Sequence, residues 1–600
     1  MSNQIYTTDV LVVGGGTGGT AAAIQAARRG AKVILVSEFA WLGGMLTSAG
    51  VTAPDGNELA AFQTGLWGEF LIELRSRQPG GLDNSWVSFF SYEPRIGAQI
   101  FADWVNALPN LQWISGYVPL EVLRQGNCVT GVKFASFTVH AKITIDGTEL
   151  GDLLALGEIP HRWGWELQSE FGEISAPTEY NSLTKKYPVQ APTWVVVMQD
   201  FGDSAPEIPQ APNYDESLFI GAWDNYGAEK FMNYGRLPGN RFMINWPQQG
   251  NDWGVGAGRL IESEAKRQEF LQECFWHSQN FAHFIQSQLG RRYGLAPNIF
   301  PQLNTQHSAL STQHSALTSF ALHPYYRESR RLIGITTVRE QDILPGNGGN
   351  AAPLHKDAIA IGNYANDHHY PGIEFALQPK SIRWGGRWTG TPFTIPYRCL
   401  VSEYIDGFFA CEKNISVSHI ASGATRLQPV VMNIGQAVGM AAALCIEYNQ
   451  LPQHLHVEKL QDALIENSHL PALIVPFFNL TLEHSEWLKW QKYYTVNHTA
   501  YPTTGICPNL NISQYLDLHK NSVNSRINIS CVGTFHFYGQ QDYAFTVLTP
   551  SEYEGQTWQL VTLHPHIDST LEKLVNGEQL QLQGRYNSAG NWLLVEHIEK

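Results

Sequence analysis

Three glycines at the spacing Gly14-x-Gly16-x-x-Gly19 open the chain's chemistry, inside the stretch TDVLVVGGGTGGTAAAIQAARRGAKVILVSE from Thr8 to Glu38. Such spacing lets a loop bring its backbone amides onto a pyrophosphate. Gly14 permits the tight turn, Gly16 the approach of the phosphates and Gly19 close packing of helix on strand. Thr17 and Gly18 complete the loop, and Glu38 stands where an acid accepts hydrogen bonds from ribose hydroxyls. The elements needed to hold these groups are legible around them. DVLVVGG is a β-branched run ending in glycines, as in a buried parallel strand. TAAAIQAARRGA carries strong helix formers and closes at Gly30, and KVILVSE is a second strand. The helix N-terminus adds amide donors and a positive dipole end. The stretch predicts a dinucleotide site; a glycine-rich turn without a ligand is the reading that the strand–helix–strand context disfavours.

Five residues past the acid, EFAWLGGMLTSAG places the doublet Gly43-Gly44, then Met45, Thr47 and Ser48. This resembles the FAD-dependent oxidoreductases of the glutathione-reductase-like two-dinucleotide-binding superfamily, related to the succinate dehydrogenase/fumarate reductase flavoproteins. In them such a doublet lies along the FAD. The resemblance runs from about Thr8 to Ala443. ITIDGTELGDLLAL, Ile143 to Leu156, is similar to the family's strand-to-turn segment that returns to FAD, matching at Asp146, Thr148, Gly151 and Asp152. FMINWPQQGNDW (Phe242–Trp253) and YYRESRRLIG (Tyr325–Gly334) resemble inserted segments, and Thr394–Ala443 resembles the closing FAD segment. The resemblance implies FAD as cofactor, with Arg426, Pro429, Asn433 and Gly435 joining the N-terminal residues around it. It departs at Glu149 and Glu412, which stand where glycine is common.

PVVMNIGQAVGMAAALCI is predicted helical by itself, with Pro429 suited to the first turn and Gly435 and Gly439 to close packing. Its N-terminus would favour negative charge on a reduced flavin; a small-residue core helix is the plainer alternative. In HPYYRESRR, Arg327, Arg330 and Arg331 surround Glu328, giving either a bidentate clamp for a substrate carboxylate or a salt-bridged helix start. NDHHYPG puts His368 and His369 beside Asp367 in a turn-rich loop, a combination suited to proton transfer near neutral pH. The resemblance puts His419 of VSHIASG close to the isoalloxazine, a satisfied structural histidine being the alternative. The candidate catalytic set is therefore His419, Arg327, Arg330 and His368. No residue marks a covalent flavin attachment. No metal site is expected, since no third or fourth ligand stands at a recognisable spacing. The tandem TQHSALSTQHSAL, Thr305–Leu317, with His307 and His314, is expected to be a surface-loop insertion.

The 600 residues are 43% hydrophobic and 16% charged, the balance of a globular chain with more than one domain. A net charge of −15 with no basic stripe excludes nucleic acid as a partner. The seven cysteines are odd in number with no CxxC pair, so a reducing compartment is expected. The first strand begins almost at Met1, and no uncharged run would span a bilayer; a cytoplasmic protein without membrane insertion is the expectation. The expected fold is α/β: a Rossmann-like FAD/NAD(P)-binding domain from residues 1–165 and 390–450, an inserted, mostly β substrate region at 166–389, a helical connector at 451–515 and a small β domain at 520–600. Short alternating strands suggest an OB-like barrel there, serving as a cap, a homodimer contact or a docking unit. The expected activity is hydride transfer between a small organic substrate and flavin N5, with an unidentified electron acceptor or donor. Non-redox isomerisation or hydration on FAD, and a non-catalytic FAD-binding protein, are the alternatives, the last weighted by Glu149 and Glu412.

Overall fold

The computed structural model describes residues 4–302, 318–346, 348–378, 382–384, 387–510 and 528–599. The duplication Thr305–Leu317 and the end of the expected connector lie outside them. Strand β1 (Gln4–Val13) is central, and Val10–Val13 are fully buried. It pairs in parallel with β2 (Val33–Ser37) on one side and β6 (Phe137–Asp146) on the other, with Val10 opposite Val33 and Ile143. Beyond β2 lies β3 (Leu111–Ser115), also parallel. The outer edge of β6 is shared: its first half takes β5 (Cys128–Lys133) and then β4 (Glu121–Gln125), both antiparallel, and its last residues take Phe408–Ala410 in parallel. Strands covered on both faces need near-continuous apolar sequence, which is what VLVV and VILV supply. The mixed α/β sheet is thus Rossmann-like and assembled from both ends of the matched chain.

Helix α1 (Thr17–Arg28) follows the glycine loop and is buried on all sides except at Arg28. The helix Gln428–Tyr448 crosses it at backbone contact: a Cβ on Gly435 would overlap the Gly18 carbonyl, and one on Gly439 the Ala22 carbonyl. This is the one helix among the described residues long and apolar enough to cross a bilayer, and it is buried in the core.

Two sequence expectations are corrected here. The region 166–389 is not mostly β. It holds a short antiparallel sheet, with Val196–Asp200 between Arg241–Ile244 and Tyr293–Leu295, but its largest element is the 26-residue helix Glu264–Leu289. That helix buries Phe270, Phe275, Phe281 and Phe284, whose uneven spacing with polar residues between hides the helical period. HPYYRESRR is not a helix start either. Only Arg331–Leu332 is regular, pairing with His161–Arg162; Arg327 and Arg330 face distant partners, and Arg331 takes Glu166 besides Glu328. The segment is buried, so tertiary ion pairs override local propensity.

At the C-terminal end five strands close into a barrel. It docks on the main body through Asn587, whose side chain donates to the Asp83 and Ser85 carbonyls, and through Trp592 against Phe89. Because the crossing of the two glycine-bearing helices leaves no room for a side chain, Gly439→Val should destabilise the protein by about 3 kcal/mol. Thermal unfolding followed by circular dichroism reads this; an unchanged midpoint would mean the helices can part without cost.

Candidate functional site

A cavity of about 760 Å³ opens at the carboxyl ends of β1, β2 and β6, lined by Gly14–Gly16, Glu38, Gly147–Glu149 and, from the inserted region, Arg267 and Tyr326. Open α/β sheets place ligands at this edge. Gly14 takes φ +105°, with no room for a Cβ against Gly147. Gly43 and Gly44 take φ +106° and +52°, so the doublet turns where other residues are strained. Thr17 ties the two loops together by donating to the Gly43 carbonyl at 2.8 Å. Thr148 donates through its backbone N–H and its hydroxyl to Asp146, at 2.9 and 2.6 Å. Burial nevertheless pushes the Asp146 carboxyl up to about 7, the two Thr148 hydrogen bonds pulling the other way.

The middle of the glycine loop is where protein charge concentrates. Glu412, fully buried, accepts a hydrogen bond from the Gly18 N–H at 2.6 Å, at the start of α1. Lys413 Nζ donates to Glu149 at 2.6 Å and to Glu412 at 3.3 Å. Burial pushes the Glu412 carboxyl up to about 7 against the attraction of Lys413, with Glu149 adding repulsion. Burial acts likewise on Glu149, but Lys413 and His323 outweigh it and hold that carboxyl below its ordinary value. The two carboxylates keep Lys413 charged in spite of its burial.

A second cavity, of about 520 Å³, lies between the start of the Gln428–Tyr448 helix and the inserted region. Its wall carries Arg327, Arg426, Asp252, Asp367, His369 and Tyr370. Each guanidinium is already paired: Arg327 with Asp252 at 3.2 Å, and Arg426 with Asp367 at 3.2 Å and the Tyr325 hydroxyl at 2.6 Å. His369 bridges Asp252 and Asp367, both at 2.7 Å. Arg327 and His369 hold the Asp252 carboxyl below the usual range although burial opposes them, and His369 and Arg426 do the same for Asp367.

Behind Tyr370 runs a buried chain. The Tyr370 hydroxyl lies 2.8 Å from His368 Nδ1 and 2.6 Å from His419 Nε2. His419 Nδ1 lies 2.8 Å from Glu328, and His368 Nε2 3.0 Å from the Ile420 carbonyl. His368 donates through Nε2 to the Ile420 carbonyl, which leaves its Nδ1 to accept from the Tyr370 hydroxyl. Tyr370 thereby links the buried His419–Glu328 pair to the cavity wall.

The structure divides the residues expected from sequence. Gly14, Gly16, Glu38, Gly44 and Thr148 line the first cavity, while Gly18, Gly19, Met45 and Thr47 are packed behind it. Gly435 serves helix crossing, and Pro429 and Asn433 are buried in the same helix. Asp146 is buried as the turn's acceptor. Arg426 sits in the second cavity with Arg327. Three expectations for chemistry are corrected. Arg330 leaves the clamp, because it donates to the Leu150 carbonyl and to Asp152 beside the first cavity. His419 touches neither cavity and reaches the second only through Tyr370, its ring packed 3.9 Å from that of Trp165. His368 lines the cavity, but burial pushes it down to about 3 and both its ring nitrogens are already engaged, by Tyr370 and the Ile420 carbonyl. Sequence reading missed Lys413, Tyr370 and Asp252. Lys413 had a signal in its adjacency to Glu412; the other two had none beyond membership of quoted segments.

The adenosine end of FAD fits the first cavity, with Glu38 at the tip of β2 and the Gly14 turn beside it. At the diphosphate position the glycine cradle is present, and Glu412 already caps its Gly18 amide. A family model described as FAD dependent oxidoreductase matches residues 9–464, and the chain belongs to that family. FAD is the family's cofactor. Similar solved structures include a geranylgeranyl bacteriochlorophyll reductase-like protein from Thermoplasma acidophilum, 11% identical over 86% of this chain and 97% of that one, with a TM-score of 0.32. L-proline dehydrogenase from P. horikoshii is 17% identical over 28% of this chain and 25% of that one (TM-score 0.16). Thioredoxin reductase from T. acidophilum is 19% identical over 28% and 41% (TM-score 0.15). The chain thus spans less than half of the last two, and likenesses this slight bear on no activity. No curated protein matches the chain.

Glu328 is buried between His419 and Arg331, whereas the Arg29–Glu447 pair is exposed. Glu328→Gln should therefore cost about 3 kcal/mol by removing a fully buried carboxylate from its contacts with His419, Arg331 and the Gln190 N–H. Glu447→Gln should cost well under about 1 kcal/mol. Equal shifts in melting temperature for the two variants would refute the structural weight given to the buried Glu328 contacts.

Proposed function

We propose, from membership of the FAD dependent oxidoreductase family, that the protein oxidises or reduces a small, uncharged, hydroxyl-bearing organic substrate seated in the second cavity. The observation that carries this substrate class is the pairing of both cavity guanidiniums with carboxylates of the same wall. A free arginine clamp would select an anion. Here donors and acceptors alternate around a nearly balanced wall, which suits hydroxyl groups and leaves a substrate carboxylate facing Asp252 and Asp367. The finer kinship, with the glutathione-reductase-like superfamily and the succinate dehydrogenase/fumarate reductase flavoproteins, belongs to the same proposal and is supported by the segments matched in sequence.

FAD, when bound, supplies the hydride acceptor or donor at N5. The chain's own residues supply binding, orientation and the proton. Arg327 and Arg426 hold Asp252 and Asp367 in place as acceptors for substrate hydroxyls. Tyr370 presents its hydroxyl at the wall, held between His368 and His419. Glu328 orients the His419 ring, so His419 and Glu328 are positioning residues. Leu427 and Gln428 bring the start of the long helix to the cavity edge, where its amides favour negative charge.

A second reading, a flavin-binding protein without turnover, is favoured by one observation, the Glu412 cap on Gly18. Anaerobic mixing of FAD-loaded protein with polyols, sugars and hydroxy acids separates the two. Bleaching of the flavin band by a neutral hydroxyl compound is expected. Bleaching only by carboxylates would refute the substrate class, and none at all would favour the second reading. With an active substrate in hand, Tyr370→Phe should lower kcat about 10²-fold with little change in KM. Full activity in that variant would remove the Tyr370–His419 chain from the mechanism.

A further inference from the structure

The most unusual group in the molecule is the buried carboxylate at the start of α1. A glycine loop that opens a twelve-residue helix offers its amides and its dipole to an anion, and in a dinucleotide fold that anion is the diphosphate. In this chain the amide of Gly18 is bound by Glu412 at 2.6 Å, and the carboxylate oxygen stands where a Cβ on Gly16 would be. Glu149, the second acid, lies against Gly44 of the doublet, on the other side of the same cradle. Its Oε1 is buried and without a hydrogen-bond partner. Lys413 bridges the two acids, so the triad carries one net negative charge in the place where a ligand would bring two more.

We propose that Glu412 is an internal stand-in for the FAD diphosphate, so that FAD enters only as Glu412 gives up the Gly18 amide and takes up a proton. The inference rests on the FAD reading above and concerns how that cofactor is admitted. Two carboxylates beside a diphosphate would repel it across a dry interior, where like charges are costly. Neutralising Glu412 removes both the competing hydrogen bond and one of the two repulsions. Lys413 then remains to face Glu149 and the incoming anion. The titratable and charged groups facing Glu412 are Lys413 and Glu149, with Cys411 adjacent in its own segment; His323 stands next to Glu149 and Tyr325 next to Lys413.

The sign follows from linkage. If the FAD complex holds one more proton than the free protein above the Glu412 midpoint near 7, affinity falls as pH rises, approaching tenfold per unit. Full-length protein stripped of flavin is titrated with FAD by fluorescence quenching at pH 6, 7 and 8, alongside Glu412→Gln and Glu412→Gly, with circular dichroism confirming that each variant is folded. The wild type should bind FAD about tenfold more weakly at pH 8 than at pH 6. Both variants should be nearly flat with pH, and at pH 8 Glu412→Gly should bind about tenfold more tightly than wild type. Equal, pH-independent affinity in all three proteins would overturn the stand-in while leaving the FAD reading intact. Failure of all three to bind FAD at any pH would overturn both.

Discussion

Everything in this molecule depends on the approach of three backbone segments at one end of the central sheet. The Gly14–Gly19 loop, Gly147 after β6, and Cys411–Glu412 after the last parallel strand meet at main-chain contact. A Cβ on Gly14 would overlap Gly147, one on Gly19 would overlap the Gly14 carbonyl, and one on Gly18 the Cys411 carbonyl. Side chains are thereby removed from the junction, and its character is set by amides, carbonyls and whichever long side chains reach in. The sheet register, the seating of α1 and the crossing of the long C-terminal helix all hold this junction closed. The first cavity opens directly onto it.

What reaches in is charged. The interior of the inserted region and its boundary carries Arg327, Arg331, Arg426 and Lys413 with Asp252, Glu166, Asp367, Glu149 and Glu412 as their partners. Buried pairs of this kind repay little of their desolvation, so their presence is weak evidence for stability and better evidence for a specified arrangement. An apolar replacement would pack as well and hold no orientation. Here the pairs fix which oxygens face the second cavity, and they keep the Tyr370 hydroxyl between two rings.

The nucleotide half of the fold was legible because its requirements are local. Gly14, Gly16 and Gly19 sit between a β-branched run and an alanine-rich run, and no other arrangement of those elements uses the glycines. Pro429 likewise marked a helix start that the structure places at Gln428. Legibility failed where partners come from far along the chain. Arg330 and Arg327 are three residues apart in one charged run, yet one faces Asp152 and the other Asp252, because the extended backbone turns them to different cavities. His419 looked like a residue for the flavin because its neighbours match the family, but its burial against Trp165 and Glu328 is a tertiary fact. The helix Glu264–Leu289 escaped because its apolar stripe is aromatic and interrupted by polar residues.

Family membership and local chemistry pull in different directions at Glu412, and the physical scale of the two claims differs. Membership describes a backbone that 456 matched residues, 9–464, hold in common with other proteins. It says that a glycine loop, an acid after the second strand and a closing helix lie where FAD is bound. A single side chain cannot alter that backbone, but it can alter the free energy of one anion at one amide. Glu412 does so with the shortest contact available to Gly18, and Lys413 makes the substitution tolerable by leaving the triad with one net charge rather than two. The backbone therefore remains competent for a dinucleotide, while the occupancy of its most anionic step becomes a competition between a tethered carboxylate and a free diphosphate. Tethering gives the carboxylate a high effective concentration, and burial raises its proton affinity. These two effects oppose each other, since a carboxyl that has taken up a proton no longer competes for the Gly18 amide.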